Sequence, residues 1–250
     1  MISEIMGMIL PPVCDICGKL ADADRRMTGY AGVYRKVFET APELHICGKC
    51  LSALCPQDTG ERWFLCLSEP YATDPIPAQR LYIPFPYEGS AGRMVSAFKF
   101  GGKKDLARLA GILTGALMAE DGISADIVIP VPLSSGRLRE RGYNQAAEIA
   151  KPVSSLLGIA FAPDALIRKR NTGKQSELKL GFDRYDNVRK AFAVSDAWDV
   201  EGLTVILTDD VATTGFTMHE AAVALYEAGA AKVLCAAFAG NRLVKNAEPF

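Results

Sequence analysis

One stretch limits the architecture more than any other: residues 205–218, VILTDDVATTGFTM. Val205, Ile206 and Leu207 form an apolar, β-rich run of the kind buried on both faces within a parallel sheet. Two carboxylates, Asp209 and Asp210, follow, and then the small, hydroxyl-rich run Thr213-Thr214-Gly215-Phe216-Thr217. Residues 219–228, HEAAVALYEA, read as a helix that Gly229 ends. A strand, a short loop and a helix in this order aim the backbone N–H groups of a helix N-terminus at one point, where a phosphate can sit. Gly215 lets the backbone approach the anion closely, and the threonine hydroxyls add donors.

The acids need a separate reason. Carboxylates repel a phosphate unless a cation lies between them, or unless they accept hydrogen bonds from neutral hydroxyls. A sugar phosphate meets both conditions, with its phosphate in the loop, its vicinal hydroxyls on the acids, and Mg²⁺ bridging to a second phosphate. The plainer alternative is an acid pair that only ends a strand or caps a helix; the attached TTGFT argues against it. Residues 206–217 resemble the signature of the type I phosphoribosyltransferases, an apolar run followed by DDVxTTGxT. That resemblance implies that Asp209 and Asp210 hold the ribose 2′- and 3′-hydroxyls of phosphoribosyl pyrophosphate (PRPP). It also implies that Ala212, Thr213, Thr214, Gly215, Phe216 and Thr217 wrap the 5′-phosphate.

Other segments repeat the strand–helix alternation. Residues 126–131, DIVIPV, form a second buried-strand candidate that leads into Leu133, Ser134 and Arg137, with Arg139 and Arg141 beyond. Small residues and spaced guanidinium groups after a parallel strand are suited to a diphosphate. Residues 232–238, KVLCAAF, give a further strand, with Cys235 read as a small buried apolar residue. Strands alternating with helices predict an α/β fold, a parallel sheet with right-handed crossovers and a ligand at the C-terminal strand ends. Residues 81–87 carry Pro84 and Pro86, so an edge or irregular strand is expected there. Helical spacing covers 91–100 and 106–118, separated by Gly101-Gly102, around which Lys99, Lys103 and Lys104 form a charged turn that is solvated or faces an anion. Pro152 predicts a kink or an early stop in the helix after Gln145. Residues 168–189 are basic, poor in branched apolar residues and too long for a simple connection, which fits a lid over bound substrate or a mobile surface loop.

The N-terminal quarter has a different chemistry. Of seven cysteines, four fall in two C-x-x-C knuckles, Cys14/Cys17 and Cys47/Cys50. A two-residue gap lets both thiolates of a knuckle reach one Zn²⁺, and four sulfur ligands leave no open position, so the predicted metal is structural. Gly18 and Gly48 suit the turn of each knuckle. Cys55 and Cys66 lack partners at the right spacing, and His45 is expected to flank the site. Residues 68–79, with Pro70, Pro75 and Pro77, read as a linker. The expected division is 1–75 for a zinc-ribbon-like module and 76–250 for the phosphoribosyltransferase-like domain.

Taken in order, the Cys₄ module, FKFGGKKDLA, PVPLSSGRLRERGYNQA, RKRNTGKQSELKLGFDRYDNVRKAF and DDVATTG resemble the ComF family from about Cys14 to Cys235. Membership implies that Arg137, Arg139, Arg141, Gly142, Asn144 and Gln145 lie on the pyrophosphate side. It implies a lid signature of Arg168, Thr172, Gln175, Leu178, Arg184, Asn187 and Phe192, with Leu178 and Phe192 packing it down. Two functions are then expected alternatives: transfer of phosphoribose from Mg–PRPP to an acceptor, or a non-catalytic PRPP-fold protein that assembles with a DNA-translocating machine in competence. A formal net charge of −1 supplies no basic field and argues against direct nucleic-acid binding. Residues 5–10 are too short an apolar run to span a membrane and Glu4 is unlike the basic start of a signal peptide, so a cytoplasmic protein is expected.

Overall fold

The computed structural model describes residues 13–21, 44–66, 79–169 and 191–240. Its centre is a set of parallel strands whose residues alternate between two apolar layers. In β8 (Thr204–Ala212), Ile206 joins one core while Val205 and Leu207 join the other. The same alternation separates Val128 from Ile127 and Ile129 in β4 (Ile127–Pro130), and Leu234 from Val233 and Cys235 in β9 (Lys232–Gly240). Both faces are dry, so these strands read in sequence as unbroken apolar runs.

The main sheet has the order β1-β2-β9-β8-β4-β5, where β1 is Trp63–Cys66, β2 is Gln79–Tyr82 and β5 is Ala160–Phe161. Every pairing in it is parallel except β1 with β2. A short strand, β3 (Phe85–Pro86), also pairs with β9. One face is covered by α2 (Gly89–Phe100), α3 (Lys104–Glu120) and α5 (Gln145–Leu157), while α6 (Phe216–Glu227) covers the other. A separate antiparallel pair joins β6 (Leu166–Arg168) to β7 (Phe192–Val194).

Residues 81–87 take the irregular course expected of them: β2 lies between β1 and β9, Pro84 falls in the gap, and β3, which contains Pro86, pairs with β9 alone among the described residues. There the Ile83 N–H donates to Arg62 O at 2.8 Å and Pro84 O accepts from the Gln57 N–H at 2.7 Å. The backbone groups flanking the gap are thus paired outside the sheet. One local expectation needs correcting: α5 continues past Pro152 to Leu157, so the helix does not stop early there. Tertiary packing overrides the proline because α5 crosses α3 at very close range. A Cβ on Gly111 would overlap Ile149 O and lie 2.9 Å from Ile149 Cα, and one on Gly115 would lie 3.0 Å from Val153 Cα.

That crossing has a measurable consequence. Gly111→Ala puts a methyl against backbone, which cannot swing aside, and should cost about 3 kcal/mol in chemical denaturation. Gly115→Ala, facing the movable Leu156 side chain as well, should cost less. Equal stability of wild type and Gly111→Ala would show that the helices do not cross this closely.

The cysteine knuckles pack on the same face as α2, α3 and α5. Cys14, Ile16, Leu44, Ile46, Leu51, Leu54 and Trp63 are buried in one continuous core with Met94, Phe98 and Leu106. Beside it, Arg62 Nη1 pairs with Asp121 Oδ2 at 2.8 Å and Tyr82 Oη donates to the same oxygen at 2.7 Å. Of residues 68–79, only Gln79 is described, as the first residue of β2. Among the described residues, no helix is long and apolar enough to cross a membrane.

Candidate functional site

β8 delivers Asp209 and Asp210 to the C-terminal end of the sheet, next to the N-terminus of α6. The strand continues past the acids to Ala212, which pairs with Gly240 of β9. Thr213 and Thr214 then lie exposed, and Gly215 turns the chain as the residue before the helix with φ 72° and ψ −4°. A side chain is strained at that left-handed φ, so glycine is required for the strand to enter α6 directly. Phe216 and Thr217 open the helix, with the His219 N–H donating to Gly215 O at 2.9 Å. His219 is buried in that first turn. The loop therefore has the geometry expected of an anion-facing helix start.

The acids are close-packed and charged against one another. The Asp210 N–H donates to Asp209 Oδ1 at 2.7 Å, and Lys99 Nζ lies 2.8 Å from Asp210 Oδ1. Burial, and then the Asp210 charge, push the Asp209 carboxyl up to about 7, against the pull of Lys99, the Asp210 N–H and Arg137. A carboxylate raised this far gains from hydroxyl donors or a cation brought by a ligand.

The arginines divide. Arg137 stands on α4 (Ser135–Arg141), a short exposed helix capped by Ser134, whose Oγ accepts from the Arg137 N–H at 3.4 Å. Arg168 ends β6, with its guanidinium 5.3 Å from the centre of the Phe192 ring. Burial, then Arg137, lower its affinity for the proton, while Asp209 raises it. These two arginines and the acid pair thus share one electrostatic neighbourhood. Arg141 instead donates to Gln145 Oε1 at 3.0 Å and lies 5.6 Å from the ring centre of Phe100; Arg139 is exposed on α4. Leu133 is half-buried in the turn before α4. Asn144 caps α5 by accepting from the Ala146 N–H at 3.1 Å, and its amide donates to Val131 O at 3.0 Å, tying the helix to β4.

Of the expected lid, Arg168 and Phe192 meet across the β6–β7 pair, and Phe192 is buried. Thr172, Gln175, Leu178, Arg184 and Asn187 lie outside the described residues. The turn lysines also take definite partners: Lys99 on Asp210, Lys103 on Asp15 at 3.0 Å, and Lys104 on Glu148 at 2.9 Å. Sequence reasoning noticed Lys99 but could not pair it with an acid on a distant strand. The only signal was its position in FKFGGKK, which reads equally as a solvated turn.

At the other pole, the sulfurs of Cys14, Cys17, Cys47 and Cys50 all lie within 4.8 Å of one another. Cys17 Sγ and Cys47 Sγ are 3.8 Å apart, which is the edge of a tetrahedron with Zn–S bonds of about 2.3 Å. Cys47 caps α1 (Gly48–Ser52), its sulfur accepting from the Cys50 N–H at 3.4 Å, so the helix start orients one ligand. Burial pushes the Cys50 thiol up to about 12, whereas a backbone hydrogen bond from Lys19 brings Cys17 down to about 7. The cluster is compatible with a zinc site. Asp15 links the knuckles by accepting from the His45 N–H at 2.9 Å while its own N–H donates to His45 O at 2.7 Å. Gly18 has φ 69°, as its turn predicts, whereas Gly48 is simply the first residue of α1. Cys55 is exposed and outside the cluster.

Comparison with known proteins gives a consistent result. Residues 101–248 match the phosphoribosyl transferase domain. The DNA utilization protein YhgH of Salmonella typhi is 34% identical over 166 residues, covering 64% of this chain and 71% of that protein. YhgH of Escherichia coli O157:H7 is 28% identical over 227 residues, covering 88% of this chain and 87% of that one. The competence protein ComFC of Bacillus subtilis strain 168 is 34% identical over 109 residues, covering 42% of this chain and 40% of its own length. Among solved structures, the glutamine PRPP amidotransferase from B. subtilis matches 56% of this chain and 30% of its own at 22% identity. Its TM-score of 0.40 is too low to establish a shared fold. A domain match of that extent, lying on a parallel sheet built in this order, leaves one assignment: the chain belongs to the phosphoribosyl transferase domain family and, within it, to the ComF-type proteins.

Proposed function

We propose that this protein binds PRPP with Mg²⁺ at the C-terminal end of β8 and passes its phosphoribosyl group to an acceptor. The observation that carries the reading is the acid pair on β8 followed directly by the Gly215 turn into α6. Asp209 and Asp210 accept hydrogen bonds from the ribose hydroxyls and so set the sugar's orientation. Thr213, Thr214 and the first N–H groups of α6 hold the 5′-phosphate. Arg137 and Arg168 face the leaving pyrophosphate and stabilise the charge it gains. A nucleophile forms a bond to ribose C1 as the bond from C1 to the pyrophosphate oxygen breaks, and pyrophosphate leaves with the electron pair. Mg²⁺, which hard carboxylate and phosphate oxygens favour, would neutralise the pyrophosphate.

The four-cysteine cluster would hold Zn²⁺ as a structural ion, with Cys14, Cys17, Cys47 and Cys50 as ligands. The names of the relatives favour a second reading for the same site. In it, the protein binds the sugar phosphate without turnover and works with a protein partner in DNA uptake.

Calorimetric titration with PRPP and Mg²⁺, followed by an assay for released pyrophosphate over a panel of amine and nucleobase acceptors, separates the readings. Micromolar binding with pyrophosphate release supports the transferase, and binding without release under any acceptor supports the assembly protein. Absence of binding by folded, zinc-loaded protein would sink both.

A further inference from the structure

Lys99 lies outside the matched residues 101–248, in the last turn of α2, yet its ammonium reaches the acid pair. The Lys99 and Asp210 side chains, paired at 2.8 Å, are only 18% and 9% exposed. A pair this enclosed is costly to desolvate, and removal of one partner leaves an uncompensated charge beside a second carboxylate. The placement is braced from several sides. Arg93, earlier on α2, lies 4.0 Å from Cys50 Sγ and donates to Ser90 Oγ at 2.8 Å. Beyond the Gly101–Gly102 break, Lys103 is held by Asp15 between the two knuckles, and Lys104 by Glu148 of α5. Each basic residue of the turn has its own acid, which fixes the register that puts Lys99 on Asp210.

The other charges around β8's end differ in kind. Arg137 on α4 and Arg168 at the end of β6 act on Asp209 through charge alone, without an ion pair to it among the described contacts. His219 and Glu220 are buried near the start of α6, while the other ionisable residues of that helix, Tyr226 and Glu227, lie at its far end. An incoming polyanion draws the two arginines towards itself. Lys99, held from the opposite layer, is then the cation left among the described side chains to offset two adjacent carboxylates.

We propose that Lys99 is a positioning residue for the sugar site, fixing the Asp210 carboxylate and, through the Asp210 N–H, the neighbouring Asp209, so that the pair is placed to accept from the ribose hydroxyls. This rests on the PRPP reading above and adds to it a group supplied by the segment preceding the matched domain. Lys99 itself does not touch the reacting atoms.

The test uses the full-length protein and two variants, Lys99→Met and Lys99→Arg. Carboxyl ¹³C NMR of aspartate-labelled, ligand-free protein follows the acids, with Asp209→Asn supplying the assignment. In Lys99→Met the Asp209 midpoint should rise by about one pH unit, and Mg–PRPP affinity at pH 7 should fall about fivefold, as the ionised fraction drops from about one half to about one tenth. Most of that loss should be recovered by pH 9, and Lys99→Arg should restore both readouts. Unchanged midpoints, or an affinity loss equal at every pH and not rescued by arginine, would show an ion pair that merely braces α2. If the wild type fails to bind Mg–PRPP, the binding reading falls while the NMR result still decides the role of Lys99. Should Lys99→Met melt early, Lys99→Gln carries the same comparison.

Discussion

Removing the metal from the four-cysteine cluster should lower the melting temperature by about 10 °C or more. The four thiols converge inside a core shared with α2 and α3, so their ligand does not staple a dispensable appendage. Zinc binding in small Cys-ligated modules is worth about 10–16 kcal/mol in apparent terms at neutral pH. Only part of that is lost when a preformed core still holds the chain. A loss of roughly 3–5 kcal/mol corresponds to the stated shift for a chain of this length, at about 2–4 °C per kcal/mol. Purified protein should carry about one zinc per chain. Cys50→Ser and a strong chelator should give the same lowered transition, while Cys55→Ser, at an exposed site outside the cluster, should leave it unchanged. Metal-free protein that melts with the wild type, or a Cys50→Ser variant of full stability, would exclude a structural ion here.

Asp209→Asn should abolish Mg–PRPP binding and at the same time stabilise the ligand-free protein. Burial and the neighbouring Asp210 raise the Asp209 carboxyl to about 7 in the folded state, compared with about 3.9 in an unfolded chain. The folded state therefore holds the proton more tightly. Its contribution to stability is complete below about pH 4 and is lost as pH rises through about 7. Above that pH the folded protein carries a charge that the unfolded chain would solvate better. Asparagine removes the charge but keeps the oxygen that accepts from the Asp210 N–H. The gain at pH 8 should be roughly 1–3 kcal/mol, less than the full shift implies, because the side chain retains some solvent contact and shares its charge with Asp210 and Lys99. Denaturation from pH 4 to 8 should show a declining wild-type curve and a flatter variant curve. Two parallel curves would mean that the acid pair stores no such strain. Sites that trade stability for ligand binding are common, because a charge arranged to meet a substrate is poorly satisfied without it.

The α/β class was legible because it depends on local pattern. Runs such as VIL and IVI, short, β-branched and followed by turn residues, fit strands dry on both faces, and the glycine before α6 marks a turn that other residues enter with strain. The cysteine spacing was equally readable, since two thiols of one knuckle are close for covalent reasons. Asp209 and Asp210 stood out because two acids beside a Thr/Gly loop have few other uses. What pattern could not supply is who meets whom across long separations. Lys99 on Asp210, Arg62 on Asp121, and Asp15 between His45 and Lys103 depend on the stacking of layers, which brings distant charges within 3 Å. The uninterrupted α5 is the same lesson in backbone terms. Pro152 carries a local preference for a break, but the Gly111 and Gly115 face of α3 admits α5 so closely that packing outweighs it. Local chemistry thus named the parts, and only the three-dimensional packing of those parts decided which charges offset one another and where a helix could continue.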